Sequence, residues 1–163
     1  MRYTLYQMSH LHIIYASTSG HTEYVVDALR KFLSEKQPSL TVSVQIAEKA
    51  QSEDLTKGDL LILASGTWNT GGREGQMNPH LVEYLWKRVK DADLKGKQCA
   101  VIGLGDERYK YTARATEHMA HYIKEHGGRA LVPPLVIVND PYGQEKKVEA
   151  WGAGLLKKLS TLS

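Results

Sequence analysis

The sequence predicts an α/β fold, a three-layer α/β/α sandwich around a five-stranded parallel sheet of order 2-1-3-4-5. Strand-like apolar runs alternate with amphipathic helical segments along the chain, which implies a parallel sheet covered on both faces. The runs also differ in kind. Three are predominantly apolar and fit central strands 1, 3 and 4, whereas two carry polar alternation or prolines and fit the edges. A third observation is local: the turn between the first strand and the first helix, Ser17-Thr18-Ser19-Gly20-His21-Thr22, is rich in hydroxyls and lacks lysine and arginine.

Each element has its own signal. Leu11-His12-Ile13-Ile14-Tyr15-Ala16 is a buried strand, and Val25, Ala28, Leu29, Phe32 and Leu33 recur at three and four residues, the stripe of an amphipathic helix. Leu40-Thr41-Val42-Ser43-Val44-Gln45-Ile46 alternates apolar with polar and belongs outside the sheet centre. Leu60-Leu61-Ile62-Leu63-Ala64 is central, and a glycine-rich loop, residues 65–72, is expected after it. Asn78-Pro79 supplies a cap and a first-turn proline for a helix burying Leu81, Val82, Leu85 and Val89. Gln98-Cys99-Ala100-Val101-Ile102 is the fourth strand. The next helix uses Ala115, Met119, Tyr122 and Ile123 and stops at Gly127-Gly128. The fifth strand, residues 130–138, contains Pro133-Pro134 and so lies at an edge; Val148, Trp151, Leu155 and Leu159 mark the last helix. Residues 1–9 are expected to be a disordered or loosely packed extension, and residues 10–163 one domain.

Bulk properties exclude several classes. A chain of 163 residues is one domain's worth. It holds no apolar run near the roughly 20 residues of a membrane span, and its first ten residues lack the apolar segment of a secretory signal. The single cysteine, Cys99, rules out an internal disulfide and suits a reducing cytoplasm; within a strand-like run it reads as a buried, inert thiol. The net charge of +3 comes from lysines and arginines scattered over polar helix faces, without the coherent stripe that nucleic acid binding requires. His10 with His12, and His118 with His121, share faces but have no third ligand nearby in sequence, so no metal site is expected.

In a doubly wound sheet the ligand sits beyond the carboxyl ends of the strands, where strand order reverses. The hydroxyl-rich turn can direct backbone N–H groups and up to four hydroxyls, from Ser17, Thr18, Ser19 and Thr22, toward one anion, with the positive end of a helix dipole behind them. The missing lysine argues against a nucleoside triphosphatase and for a ligand with one terminal phosphate monoester. Two further loops emerge there, Ser65-Gly66-Thr67-Trp68-Asn69-Thr70-Gly71-Gly72 and Gly103-Leu104-Gly105-Asp106-Glu107-Arg108-Tyr109-Lys110-Tyr111. Either Trp68 or Tyr109 alone is equally consistent with a surface aromatic packed on its own loop. Together with a phosphate loop they point to a flat ring held between two side chains.

From about residue 11 to residue 160 the chain resembles the short-chain flavodoxins. The resemblance is carried by Ser-Thr-Ser-Gly-His-Thr after the first strand, Gly-Thr-Trp after the third and Gly-Leu-Gly-Asp-Glu-Arg-Tyr-Lys-Tyr after the fourth. It implies a flavodoxin-like fold and the cofactor FMN. Its phosphate would be held by Ser17, Thr18, Ser19, Gly20, His21 and Thr22, and its ring bordered by Gly66, Thr67, Trp68, Asn69, Thr70 and Gly71. Trp68 and Tyr109 would lie on opposite ring faces, the amides of Leu104, Gly105 and Asp106 at the pyrimidine edge, and Tyr111 beside the site. The implied function is a monomeric, cytoplasmic one-electron carrier between a reductase and acceptor enzymes, with no catalytic acid, base or nucleophile of its own. The alternative is an FMN-dependent NAD(P)H:quinone-type oxidoreductase on the same fold, for which the sequence offers no additional dinucleotide motif.

Three departures from the family pattern carry expectations. Asn69 stands where many members have glycine, at the carbonyl that turns to accept a hydrogen bond from the protonated, half-reduced ring, so the preference for that half-reduced state is expected to be retained but weaker. Asp106 and Glu107 are partly offset by Arg108 and Lys110, which predicts a less negative potential for full reduction than in acidic relatives. His21, at a position that is usually uncharged, reads either as a solvent-facing loop histidine or as one whose imidazolium form would make phosphate affinity fall as pH rises through neutrality.

Overall fold

The computed structural model describes residues 10–162; the extension expected at residues 1–9 lies outside the described residues. The element order is β1 (His10–Ala16), α1 (His21–Lys36), β2 (Thr41–Ile46), β3 (Leu60–Thr70), β4 (Arg73–Met77), α2 (Pro79–Glu83), β5 (Gln98–Gly105), α3 (Ala115–Glu125), β6 (Arg129–Ala130), β7 (Leu135–Val138) and α4 (Glu145–Ser160). The parallel strands run β2-β1-β3-β5, and β6 and β7 follow one another along the far side of β5. Counting β6 and β7 as one interrupted strand, this is the 2-1-3-4-5 order that the patterning predicts.

Period-two alternation sends side chains to two cores. Leu11 and Ile13 of β1 join Leu29 and Leu33 of α1 and Val148 and Leu155 of α4 on one face. Ile14 and Ala16 join Leu61 and Leu63 of β3, Leu81 of α2 and Leu85 just after it, and Met119 and Tyr122 of α3 on the other. The central strands are predominantly apolar because both of their faces are covered.

Three details differ from the sequence expectation. The loop expected at residues 65–72 is largely strand: β3 continues to Thr70 and pairs antiparallel with β4. Gly71 and Gly72, at φ +64 and +76, form the two-residue turn, in which both central residues need positive φ. Between the pairs Trp68–Gln76 and Thr70–Arg73 the register shifts, leaving Glu74 and Gly75 opposite Asn69, and Gly75 has φ +77. The second helix keeps α geometry only to Glu83 and then widens into a π turn, Tyr84–Arg88, where the Val89 N–H reaches the Tyr84 carbonyl at 2.9 Å. Arg88 there donates to the carbonyls of Ala47 and Ala50, at 2.5 and 2.8 Å. The fifth strand is broken at Pro133-Pro134, since neither proline can donate to the ladder.

His10 and His12 meet on one hydroxyl. Their rings share the Ser43 hydroxyl, at 2.7 and 2.6 Å, and the second nitrogen of His12 lies 3.3 Å from Gln45 Oε1. His12 is buried, and that burial holds its pKa below the usual histidine value.

Candidate functional site

A cleft of about 490 Å³ opens at the carboxyl ends of β1, β3, β5 and β7. At one end lies the turn before α1. Gly20 adopts φ +89, which lets the chain leave β1 and enter the helix at once. The Ser17 hydroxyl oxygen accepts from the N–H groups of Gly20 and Glu23, at 3.2 and 3.4 Å, and the Thr18 oxygen accepts from the Asn78 amide at 2.9 Å. Oxygens that accept in this way keep their own O–H protons for an anion. Behind them stands the N-terminus of a 16-residue helix.

Asn78 fixes the turn from below. Fully buried, it donates its N–H to Ser65 Oγ at 2.9 Å, caps α2 by accepting from the His80 N–H at 3.0 Å, and holds Thr18 with its side-chain amide. One residue thus connects β3, α2 and the turn before α1. The sequence revealed only its capping role, because Asn-Pro is a local signal and the Ser65 and Thr18 contacts are long-range.

The aromatics come from separate elements. Trp68 lies on β3 beyond its parallel pairing and is 37% exposed, and Tyr109 lies on the β5–α3 loop and is 66% exposed. A Cβ added at Gly66 would sit 3.0 Å from Trp68 Nε1, so this glycine makes room for the indole. The β5–α3 loop is tied to itself and to the hairpin. Thr112 donates to the Asp106 carbonyl, and the Ala115 N–H reaches Thr67 Oγ1 at 3.1 Å. A Cβ on Gly75 would lie 2.7 Å from the Cβ of Tyr111, and Arg114 covers the Tyr111 ring at 4.7 Å.

Arg108 grips Asp106 through Nε, at 2.9 and 3.0 Å from the two carboxylate oxygens, and through Nη2, at 2.5 Å. Hydrogen bonds from the Arg108 side chain and backbone hold the Asp106 carboxyl down to about 2. At the helix end of the cleft His21 lies edge-on to Tyr142, with ring centroids 5.8 Å apart, and Tyr142 in turn meets Tyr24 at 4.6 Å. The Tyr24 hydroxyl donates to Glu145 and lowers the pKa of that carboxyl.

Thr18, Ser19, His21, Thr22, Gly66, Thr67, Trp68, Leu104, Gly105, Asp106 and Tyr109 all line this cleft. Asn69 and Tyr111 line an adjoining lobe that shares Trp68 and Tyr109. Ser17 and Gly20 shape the turn behind the wall. Thr70 and Gly71 stand apart, Thr70 donating to the Met77 carbonyl at 2.7 Å and Gly71 forming the hairpin turn. The wall also contains Glu107, Arg108, Asn139 and Asp140. Glu107 and Arg108 lie within the motif already singled out, whereas Asn139 and Asp140 follow an edge strand whose only local signal is the turn sequence Asn-Asp-Pro.

The fold and cleft define the class: a doubly wound α/β protein with an open cleft, lined by hydroxyls and aromatics, at the switch point of its sheet. The flavodoxin family model matches residues 13–151. "Probable flavodoxin 2" of Bacillus subtilis (strain 168) is 29% identical over 140 residues, covering 86% of this chain and 89% of that protein. The flavodoxin of Maridesulfovibrio salexigens is 28% identical over 93% of this chain and its own full length. Oxidised flavodoxin 2 from Bacillus cereus superposes with a TM-score of 0.81 at 27% identity, covering 91% of this chain and 99% of its own. The chain belongs to the flavodoxin family. It is an FMN-binding electron carrier, and members of the family pass electrons to redox partners. Among the described residues no helix is long and apolar enough to cross a membrane.

Proposed function

We propose that the cleft between the α1 N-terminus and the Trp68–Tyr109 pair is the FMN site, and that this chain acts as a non-catalytic, monomeric carrier in the cytoplasm. The observation that carries this reading is the division of the cleft into two chemistries. One end offers hydroxyls and helix N–H groups for a phosphate, and the other offers two exposed aromatics on separate walls. The donor set fits a phosphate monoester: Thr18, Ser19, His21 and Thr22 line that end, and Ser17 keeps a free proton behind them. Gly66 keeps the floor low beside Trp68.

FMN supplies the redox centre, taking up and releasing electrons one at a time. The chain binds it, orients it and sets its surroundings. Trp68 and Tyr109 would cover the two ring faces and limit water there. The backbone around Leu104, Gly105 and Asp106 would meet the pyrimidine edge, and Asn69 and Tyr111 would border the ring from the adjoining lobe. Electron partners would dock transiently at this rim, where Trp68 and Tyr109 are exposed. The test is reconstitution of apoprotein with FMN, followed by flavin fluorescence quenching. The reading expects tight one-to-one binding, at least tenfold weakening in Trp68→Ala and in Thr18→Val, and no sustained oxidation of NADPH by the loaded protein alone. Absence of FMN binding, or steady NADPH turnover without a partner, overturns it.

A further inference from the structure

Two non-glycine residues among those described have left-handed backbone, Ala113 at φ +55 and Asn139 at φ +69, and both stand against the end of β5. Such conformations cost free energy, and they cluster where a structure needs a particular local geometry. Asn139, on the cleft wall directly after β7, makes two hydrogen bonds to one short segment. Its backbone N–H donates to the Gly105 carbonyl at 2.8 Å, and its side-chain Oδ1 accepts from the Glu107 N–H at 3.0 Å. These contacts bracket Asp106.

The bracket has a direction. In a trans peptide the carbonyl and the following N–H point opposite ways. Strand β5 lies between β3 and β7, with Gly66 beside Leu104 on one side and Val138 beside Gly105 on the other. Drawing the Gly105 carbonyl toward Asn139 at the β7 end therefore aims the Asp106 N–H toward β3, the side on which Gly66, Thr67 and Trp68 line the cleft. The next peptide is fixed as well. The Asp106 carbonyl accepts from the Tyr109 N–H at 3.0 Å and from the Thr112 hydroxyl, closing the turn that carries Tyr109.

We propose that Asn139 is a positioning residue for the cofactor ring: it holds the Gly105–Asp106–Glu107 backbone so that the Asp106 amide is already aimed at the ring's pyrimidine edge before FMN arrives. The proposal rests on the FMN site described above. Asparagine suits the task because it tolerates left-handed backbone and carries a short acceptor. Glycine would keep the backbone and lose the acceptor, alanine would lose both, and aspartate would keep the acceptor.

The experiment compares wild type with Asn139→Gly, Asn139→Ala and Asn139→Asp, using two probes: FMN, and riboflavin, which has the ring without the phosphate. Thermal melting of each apoprotein reports folding. The expected result is a loss of about fivefold in affinity for Asn139→Gly, the size of one net hydrogen bond, by the same factor for both probes. Asn139→Ala loses more, and Asn139→Asp recovers to within about twofold of wild type for riboflavin. Unchanged ring affinity in Asn139→Gly overturns the proposal. So does a loss confined to FMN, which would place the effect at the phosphate end, or a riboflavin loss in Asn139→Asp equal to that in Asn139→Gly. Failure of the wild-type protein to bind FMN defeats the site reading itself, a distinct outcome.

Discussion

Arg108 and Asp106 form an opposite-charge pair on the cleft wall, and their separate effects on the flavin potential should nearly cancel. Full reduction places negative charge on the ring, so a nearby cation favours it and a nearby anion opposes it. Arg108→Gln is expected to make the second midpoint potential more negative, Asp106→Asn less negative, and the double variant close to wild type. Redox titration of the four proteins checks this, and a single common midpoint contradicts it. Asn69 is a separate case. It stands in strand conformation opposite the Glu74–Gly75 irregularity rather than in left-handed backbone. Asn69→Gly removes the Cβ that hinders a peptide flip, so half-reduced protein is expected to accumulate more during titration. Unchanged or lower accumulation counts against this role. The charges of Asp106 and Arg108 and the identity of Asn69 are plain in the sequence because each lies in a recognisable loop motif. Asn139 was not, since its partners are more than thirty residues away and its backbone angle leaves no sequence mark.

The hairpin β3–β4 joins the two ring-bearing walls through Gly75, which packs on Tyr111. Gly75→Ala adds a Cβ at φ +77 and 2.7 Å from the Tyr111 Cβ, so it is expected to cost about 1–3 kcal/mol and to weaken FMN binding together with stability. Chemical denaturation and FMN titration of one variant measure both. Strands β1, β3 and β5 were legible because a strand buried on both faces is predominantly apolar. The hairpin was read as loop because most of residues 68–74 are exposed, so polar and glycine residues suffice there. The β1–β2 pair carries a pH effect of its own. Burial keeps the folded pKa of His12 below its ordinary 6.5, so as pH falls through 6.5 the unfolded chain takes up a proton that the native state resists. Stability contributed by neutral His12 is therefore present above that pH and declines below it. His12→Gln is expected to flatten this part of the acid denaturation profile; an identical profile in the variant shows that other groups set it.

Both cores lie along the two faces of the sheet, whereas the cleft occupies only its carboxyl end. The apolar contacts that hold the strands and helices together are complete without a ligand, so removing FMN should loosen the site and leave the layered body intact. Ligand present at 100 times its Kd adds about 2.7 kcal/mol to a protein that binds it only when folded. For a domain of this size that corresponds to a rise of roughly 5–11 °C in Tm. Apoprotein is therefore expected to keep the far-UV circular dichroism of the loaded form while melting earlier. Amide exchange should locate the difference. Protection gained on adding FMN is expected at residues 17–22, 66–69, 104–111 and 139–140, which lie along the cleft and its adjoining lobe, and not in β2 or the body of α4. Gains spread evenly through both cores would mean that the cofactor completes the fold rather than occupying a site the fold has already built.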